Sequence, residues 1–120
     1  MKLVITTTGQ TLEAPMDRRF GRAGGFLVYD LEAETYTVIG NDQNLQAAQG
    51  AGIQAAQTIV NSGAQALITG HCGPKAFRVL SAANVTVYNC EAATVTEAIE
   101  QYKSGQLKPA ESADVEGHWV

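Results

Sequence analysis

The spacing of apolar residues changes along the chain, and each change predicts where a strand or helix begins. A β-branched run from Leu3 to Thr8 ends at Gly9 and predicts a strand buried on both faces. Two more strand-like runs, from Gly24 to Leu31 and from Glu34 to Ile39, are separated by only two residues. This spacing predicts an antiparallel hairpin, and the clearer alternation of the second run places it at the sheet edge.

Helical spacing replaces strand spacing after Gly40. Apolar residues recur at helical intervals between Leu45 and Val60. We therefore expect a helix that is established by about Gly50 and stopped by Ser62-Gly63. Such a change of period is typical of a chain that passes from a hairpin into alternating strand and helix units.

The remaining elements alternate strand and helix. Ala66 to Thr69 predicts a buried strand, and Pro74 opens a helix that runs to about Ala83. A short strand from Val85 to Tyr88 leads to a third helix, which begins at a capping box and ends at a glycine; these residues are Thr94, Glu97 and Gly105. The predicted order of elements is βββαβαβα.

This order predicts one α/β domain with a mixed five-stranded sheet. Right-handed crossovers make strands 1, 4 and 5 parallel neighbours, and the hairpin extends the other side of strand 1. The expected strand order is therefore 3-2-1-4-5, with only strand 2 antiparallel. Strands 1 and 4 form a topological switch point, where ligands of open α/β sheets bind. The segments expected to meet at that edge are 9–23, 40–52, 70–74 and 89–94.

Length and charge narrow the classes of function. The 120 residues suit one domain, placed at 1–108, followed by an acidic tail at 109–120 that is either mobile or docked. A net charge of −4 argues against nucleic acid as a partner. The sequence shows no signal peptide and no continuous apolar run long enough to cross a membrane. We therefore expect a soluble cytoplasmic protein with Cys72 and Cys90 as reduced thiols.

Positive charge is concentrated in one segment of this acidic chain. Three of the four arginines lie within "DRRFGRAGG", at Arg18, Arg19 and Arg22. Guanidinium groups hold spread negative charge through several donors, so the segment predicts an anion site, and a solvated loop is the alternative. Asp17 is placed to orient one of these arginines.

Two glycine-containing turns precede helices at the same predicted edge. In "QGAGIQ", Gly50 and Gly52 leave early N–H groups approachable by an anion, although close packing of small residues is the favoured explanation of that segment alone. In "GHCGPKAF", we expect Lys75 and the helix N-terminus to face an anion together, while Gly70 and Gly73 let the protein backbone come close to it.

Metal ligation and catalysis have weaker support in the sequence. His71 and Cys72 are potential ligands, but a mononuclear site needs about three or four donors. The sequence adds only Cys90 and His118, and isolated cysteines are more often packed than ligating. No acid pair, nucleophile elbow or catalytic triad is defensible, so we expect no enzymatic activity.

Three ordered motifs resemble the dinitrogenase iron-molybdenum cofactor accessory family: "DRRFGRAGGFLVYD", "GAGIQAAQ" and "GHCGPKAFRVLSAANVTVY". This family of small α/β proteins includes nitrogenase cofactor carriers and the molybdenum-copper orange protein of sulfate reducers. The likeness covers about residues 1–105 and implies a three-layer, ribonuclease-H-like fold. It also implies non-enzymatic binding, storage or delivery of an anionic metal-sulfur cluster, either a Mo-Cu sulfide cluster or a related molybdenum or iron-sulfur cluster.

The resemblance also implies a set of site residues. The residues that match the motifs are Arg19, Phe20, Gly21, Arg22, Gly50, Gly52, Gly70, Gly73, Pro74 and Lys75, with His71 and Cys72 as optional metal contacts. Some relatives carry a histidine just before the second motif, where this chain has Ala48 and Gln49. A ligation scheme that depends on that histidine therefore does not transfer.

The sequence predicts a carrier or scaffold for a molybdenum-containing cluster, held non-covalently by cations and backbone amides. Its expected partners are the anionic cluster itself and proteins of cluster assembly or delivery. The alternative is a metal-free regulatory or protein-interaction module that binds a small anionic ligand. A ribonuclease-H-like hydrolase ranks last, because clustered carboxylates near strand 1 are lacking.

Overall fold

The computed structural model describes residues 1–21, 23–41 and 51–110, which contain eight elements in the predicted order βββαβαβα. The strands are β1 (Lys2–Thr7), β2 (Gly25–Asp30), β3 (Thr35–Gly40), β4 (Ala66–Thr69) and β5 (Thr86–Asn89). The helices are α1 (Ala51–Asn61), α2 (Pro74–Ala82) and α3 (Val95–Lys103). Every predicted strand is confirmed to within one residue at either end. The stretch before α1 that was also expected to be helical, from Leu45 to Gly50, lies outside the described residues.

One mixed sheet connects the strands in the order β3-β2-β1-β4-β5, as predicted. β2 runs antiparallel to both of its neighbours, with Lys2 opposite Asp30 and Thr7 opposite Gly25. β4 runs parallel to β1 and to β5. The carboxyl ends of β1 and β4 are therefore adjacent, which confirms the expected switch point.

Alternation along the strands sends apolar side chains into two cores, which produces the expected three layers. On one face, Val4 and Leu67 pack against Ile59 of α1 and Leu80 of α2. On the other face, Leu3, Ile5 and Ile68 pack with α3, chiefly through Val95 and Ile99. These side chains are at most 5% exposed, and burying each one contributes about 1.5–3 kcal/mol.

The hairpin between β2 and β3 differs from the expected two-residue connection. Four residues, 31–34, join the strands. Asp30 Oδ1 accepts hydrogen bonds from the N–H groups of Glu32 (2.9 Å) and Ala33 (3.1 Å), and this lowers the pKa of Asp30. Glu34 then takes a positive φ of 57°. The aspartate builds the turn that an Asn-Gly or Asp-Gly pair would otherwise provide, so the connection needs two more residues.

The N-cap of α3 and the glycines that follow α1 and α3 agree with the helix boundaries predicted from the sequence. The Thr94 hydroxyl accepts a hydrogen bond from the Glu97 N–H (3.2 Å), which supplies one half of the predicted capping box. Past α1 and α3 the chain turns at Gly63 and Gly105, whose φ values of 81° and 77° suit glycine. Within the described residues, no helix is long and apolar enough to cross a membrane.

The beginning of the predicted acidic tail lies along β5. Pro109 forms an antiparallel bridge with Tyr88, and the Ala110 N–H donates to the Val87 carbonyl (2.8 Å). At these two positions the chain is docked on the sheet edge. The rest of the tail, including His118 and Trp119, lies outside the described residues, and the boundary at residue 108 stays a prediction.

Candidate functional site

The arginine segment, described at residues 17–21 and 23–25, and the His-Cys turn, residues 70–73, meet at the carboxyl edge of the sheet. The His71 N–H donates to the Arg18 carbonyl (2.7 Å), and the Phe20 N–H donates to the His71 carbonyl (3.2 Å). Arg19 and His71 are thereby register partners in a short parallel bridge. The two segments continue the pairing of β1 with β4 beyond the ends of those strands. Segments that are about 50 residues apart in sequence therefore share one rim, as the topology predicted.

This close approach explains why position 70 is a glycine. A Cβ atom at Gly70 would lie 2.7 Å from the Arg18 Cβ and 2.8 Å from the Arg18 carbonyl oxygen. Neither backbone could move away without breaking the hydrogen bonds of the junction. Gly70 therefore admits the arginine segment, which is a structural role sufficient to account for its residue type.

The arginine segment is anchored from behind by Phe20 and Asn41. The Phe20 side chain is 2% exposed and packs on Phe26, with ring centroids 6.0 Å apart. The buried Asn41 side chain donates to the carbonyls of Gly21 (3.3 Å) and Ala23 (2.8 Å). The segment is thus ordered, as the sequence indicated. The Phe20 side chain acts in the core and does not reach the rim.

Asp17 holds Arg19 in a fixed position at this rim. The Asp17 carboxylate accepts hydrogen bonds from the Arg19 backbone N–H (3.0 Å), Nε (3.2 Å) and Nη2 (3.2 Å). The Asp17 side chain is 4% exposed and that of Arg19 is 67% exposed. Hydrogen bonding and charge from Asp17 raise the pKa of Arg19, which keeps the guanidinium charged. The sequence had suggested that Asp17 orients an arginine, but its burial depends on tertiary contacts that spacing does not reveal.

The N-terminus of α2 stands open beside this junction. Its N-cap residue is Gly73, no side chain caps the helix, and the first turn contains no acidic residue. A Cβ at Gly73 would meet no atom of the described residues within 4 Å, and its φ of −71° is ordinary for any residue. Packing and backbone conformation therefore do not explain this glycine. Pro74 opens the helix as predicted, and Lys75 is exposed in its first turn.

Gly52 of α1 faces α2. A Cβ at Gly52 would lie 3.6 Å from the Ala76 Cβ of α2, which is an ordinary van der Waals contact. Close packing against α2 therefore does not require a glycine at this position. The contact places the beginnings of α1 and α2 together at the same end of the sheet. Arg22 and Gly50, which belong to the predicted site, lie outside the described residues.

The two cysteines lie on opposite faces of the sheet. Cys72 is 1% exposed within the core formed with α1 and α2, and its Sγ contacts the Gly73 carbonyl (3.7 Å). Cys90 packs in the core formed with α3, beside Gln101 Oε1 (3.4 Å), and burial raises the pKa of its thiol. Cys90 nevertheless lines a cleft of about 370 Å³ together with Gly70, His71 and Asn89, so the residues around Cys90 and the turn at His71 meet as predicted. The Cys72 side chain is the exception, because it points into the opposite core.

No group of three or more His, Cys, Asp or Glu residues in the described ranges is placed to hold a metal ion. His71 is exposed at the rim, whereas Cys72 beside it is buried. Among the described residues, the rim therefore offers guanidinium, ammonium and amide donors in place of a thiolate set. Such donors suit an anion.

Comparison with solved structures places this geometry among known folds. The apo form of the orange protein from Desulfovibrio gigas matches with a TM-score of 0.92 and 38% identity, over 94% of this chain and 95% of that one. A putative NifB protein from Thermotoga, of the DUF35 family, matches with a TM-score of 0.84 and 34% identity, over 97% and 98% of the two chains. An uncharacterized protein of Methanocaldococcus jannaschii is 28% identical over 95 residues, 77% of this chain and 80% of the relative.

The family model of the dinitrogenase iron-molybdenum cofactor matches residues 1–105. The match spans the arginine segment, the helix starts of α1 and α2 and the whole of α3. The recognition made from the three motifs is thereby confirmed, and so is the α/β architecture that it implied. The chain belongs to the dinitrogenase iron-molybdenum cofactor family.

Proposed function

We propose that this protein is a non-enzymatic carrier that binds, stores or delivers a molybdenum-containing metal-sulfur cluster, of the Mo-Cu sulfide type. The cluster is its cargo and binds non-covalently at the rim where the arginine segment meets α2. Arg19, Arg22 and Lys75 offset its negative charge, and Gly50, Gly52 and Gly73 leave space for it. The observation that carries the proposal is the uncapped, glycine-headed N-terminus of α2 beside an ordered arginine segment.

The chemistry of the rim fits an anionic cargo. A multiply charged cluster loses much hydration when it enters a cleft, so cations and oriented amides must replace the lost water. At α2 the N–H groups of Lys75 and Ala76 precede the first intrahelical bond, which runs from the Phe77 N–H to the Gly73 carbonyl (2.9 Å). These two amides point out of the helix start, where the helix dipole favours negative charge.

A lysine such as Lys75 is unusual in the first turn of a helix that has no side-chain cap. The N-terminal turn of a helix favours acidic side chains, and a lysine there costs about 0.3–1 kcal/mol relative to a favourable charge. The cost is offset if an external anion binds in front of the turn. Lys75 therefore supports a bound anion more strongly than an exposed lysine elsewhere on the surface.

Direct thiolate ligation has less support than this electrostatic mode. Cys72 is 1% exposed and its Sγ faces the Gly73 carbonyl, so it would have to leave the core to reach a cluster. His71, exposed at the rim, is the better placed of the two optional contacts. We therefore assign the main binding energy to cations and amides, with His71 and Cys72 as secondary contacts.

Titration of the apo protein with tetrathiomolybdate and copper, followed by visible absorption, tests the proposal. The triple variant Arg19→Gln, Arg22→Gln and Lys75→Gln is expected to lose at least about tenfold in cluster affinity, since the loss of even one charged hydrogen bond costs about 1.5–3 kcal/mol. Cys72→Ala is expected to retain the cluster nearly as well as the wild type.

A matched triple variant controls for net charge. Lys2, Arg78 and Lys108 are exposed and lie outside the proposed site, so their replacement by glutamine removes the same charge. We expect this control to bind nearly as the wild type does. Equal loss in both triple variants, or full retention by the site variant, would contradict the cation rim.

A further inference from the structure

We propose that Asp17 is a positioning residue for cluster binding: its buried carboxylate fixes the Arg19 guanidinium at the rim, with its remaining donors directed at the cargo. The inference rests on the proposed function and names how that site is prepared before the cluster arrives. It concerns a residue outside the set that the family resemblance implied.

Arg19 donates three hydrogen bonds to the Asp17 carboxylate. Both carboxylate oxygens are used, Oδ1 by the Arg19 backbone N–H and Nε, and Oδ2 by Nη2, at 3.0–3.2 Å. These hydrogen bonds occupy the Nε–Nη2 edge of the guanidinium. The Nη1 group and the second proton of Nη2 lie on the opposite edge, away from Asp17, and a planar guanidinium cannot rotate one edge without the other.

The Asp17 carboxylate is buried, whereas its partner is exposed. The Asp17 side chain is 4% exposed, while the arginine that it holds is 67% exposed. A carboxylate withdrawn from water needs hydrogen bonds for both oxygens, and the fork of Arg19 supplies them. A surface ion pair would leave both partners mobile. Here Asp17 is fixed in the protein interior, so its hydrogen bonds also fix the exposed Arg19 guanidinium.

The backbone of Asp17 is itself held at the carboxyl ends of β1 and β4. Its N–H donates to the Thr6 carbonyl (2.9 Å), and its carbonyl accepts a hydrogen bond from the Thr6 hydroxyl. Thr6 Oγ1 also bonds Thr69 Oγ1 (3.0 Å). The position of Arg19 is thereby tied to the two central strands of the sheet. Fixing an arginine before binding removes the entropy cost of ordering it when the anion arrives.

The charge of Asp17 makes the inference sharply testable. A carboxylate beside the site repels an anionic cluster, so replacing it by asparagine strengthens binding if charge alone matters. Positioning predicts the opposite sign. We expect Asp17→Asn to weaken tetrathiomolybdate and copper binding by about three- to tenfold, the range that ordering one long side chain accounts for.

Two comparisons assign the effect to Arg19. In an Arg19→Ala background, adding Asp17→Asn is expected to cause no further loss, because a positioning residue acts only through its partner. Arg19→Lys keeps the charge but loses the planar fork, and is expected to bind as weakly as Asp17→Asn. Glu100→Gln removes one exposed negative charge from α3 and controls for net charge.

A second measurement reads the position of Arg19 without any cluster. In the apo wild type, the Arg19 Nε–H is expected to give a distinct NMR resonance protected from solvent exchange, and Asp17→Asn is expected to abolish that protection. Thermal unfolding establishes that each variant is folded, and Arg19→Lys carries the test should Asp17→Asn unfold.

Each outcome decides the inference. Weaker binding by Asp17→Asn, absent in the Arg19→Ala background, supports it. Unchanged or tighter binding overturns the positioning role while leaving the carrier function intact. If wild-type protein binds no cluster, the proposed function fails and this inference fails with it.

Discussion

Two helix N-termini lie at the same edge of the sheet and are built in opposite ways. α3 begins at Thr94, whose hydroxyl caps the Glu97 N–H, and its first turn carries the acidic Glu97. α2 begins at Gly73 without a side-chain cap, and its first turn carries Lys75 and no acidic residue. At α3 the Val95 and Thr96 N–H groups also donate to the carbonyls of Ala14 (3.0 Å) and Leu12 (2.9 Å), so its first amides are bonded within the protein, whereas α2 begins without a side-chain cap or an acidic residue. The difference teaches that the open helix start is a feature of this sequence and not of the fold.

The surroundings of the two helix starts differ in the same direction. The turn before α2 is bonded to the arginine segment through His71. The turn before α3 contains the buried Cys90 and the exposed Glu91, and α3 faces the opposite core. Among the described residues, positive charge and uncapped backbone therefore coincide beside α2 and not beside α3. Five predictions test this comparison, in descending order of expected effect.

The largest effect is expected at the junction that carries the open helix start. Gly70→Ala places a methyl group 2.7 Å from the Arg18 Cβ and should destabilise the protein by about 2–3 kcal/mol. Urea unfolding measures this loss. Gly73→Ala, three residues later in the same turn, is the matched control, with an expected loss of about 0.5 kcal/mol. Equal stability losses in the two variants would refute the assignment of Gly70 to packing.

A smaller effect on stability is expected from removing the side-chain cap of α3. Thr94→Ala removes the hydroxyl that caps the Glu97 N–H and should lower the free energy of unfolding by about 1 kcal/mol. Cluster affinity should remain at the wild-type value, because the proposed site does not include α3. A loss of affinity in a folded Thr94→Ala protein would show that the two helix starts are not separate in function.

Giving α2 the cap that it lacks should separate stability from binding. Gly73→Asp supplies an N-cap carboxylate and should stabilise the apo protein by about 0.3–0.5 kcal/mol. The same carboxylate occupies the amides and repels the cargo, so tetrathiomolybdate affinity should fall. Denaturant unfolding and titration of the same sample test both signs. A variant that gains stability and keeps full affinity would exclude the α2 amides from the site.

Charge reversal in the first turn of α2 should act in the same way. Lys75→Glu should stabilise the apo protein by about 0.3–0.5 kcal/mol through the helix dipole, and should weaken cluster binding. Lys103→Glu, in the last turn of α3, is the opposite case and should destabilise, because a lysine is favourable at a helix C-terminus. Identical stability changes in the two variants would mean that the dipole argument does not apply.

The smallest effect is expected from the thiol on the α3 side. Burial raises the pKa of Cys90 above its ordinary value of 9.0, so the neutral thiol is favoured by folding. That contribution is complete below about pH 9 and is lost as the pH rises through the folded-state pKa. Unfolding free energies measured across the alkaline range should therefore fall more steeply for wild type than for Cys90→Ala. Tyr102, whose pKa burial also raises, contributes equally to both proteins. Parallel curves would remove Cys90 as the cause.

The sequence was sufficient for the fold because the deciding signals are local. Apolar spacing defined the strands and helices, Pro74 and Thr94 marked two helix starts, and handedness rules then left one strand order. The hairpin turn was missed because Asp30 builds it through its own side chain, a device that does not require the usual turn pair.

The site was only partly predictable, because its decisive features depend on which backbones meet. Gly70 and Gly73 look alike in the sequence, yet only Gly70 lies against another segment. Phe20 was assigned to the site through the family motif, and its side chain proves to be core. Asp17 gave a signal through its spacing to Arg19, but its burial follows from the packing of the segment onto Thr6.

The central claim is that the open rim between the arginine segment and α2 holds an anionic molybdenum-containing cluster as cargo. Elemental analysis and visible absorption of protein isolated without oxygen from its native cells test this most directly. The account predicts molybdenum, copper and sulfide that co-purify with the chain and give strong visible absorption, all lost when Arg19, Arg22 and Lys75 are neutralised together. Native protein that carries no metal and no visible absorption would contradict the account and favour a metal-free module for small anions.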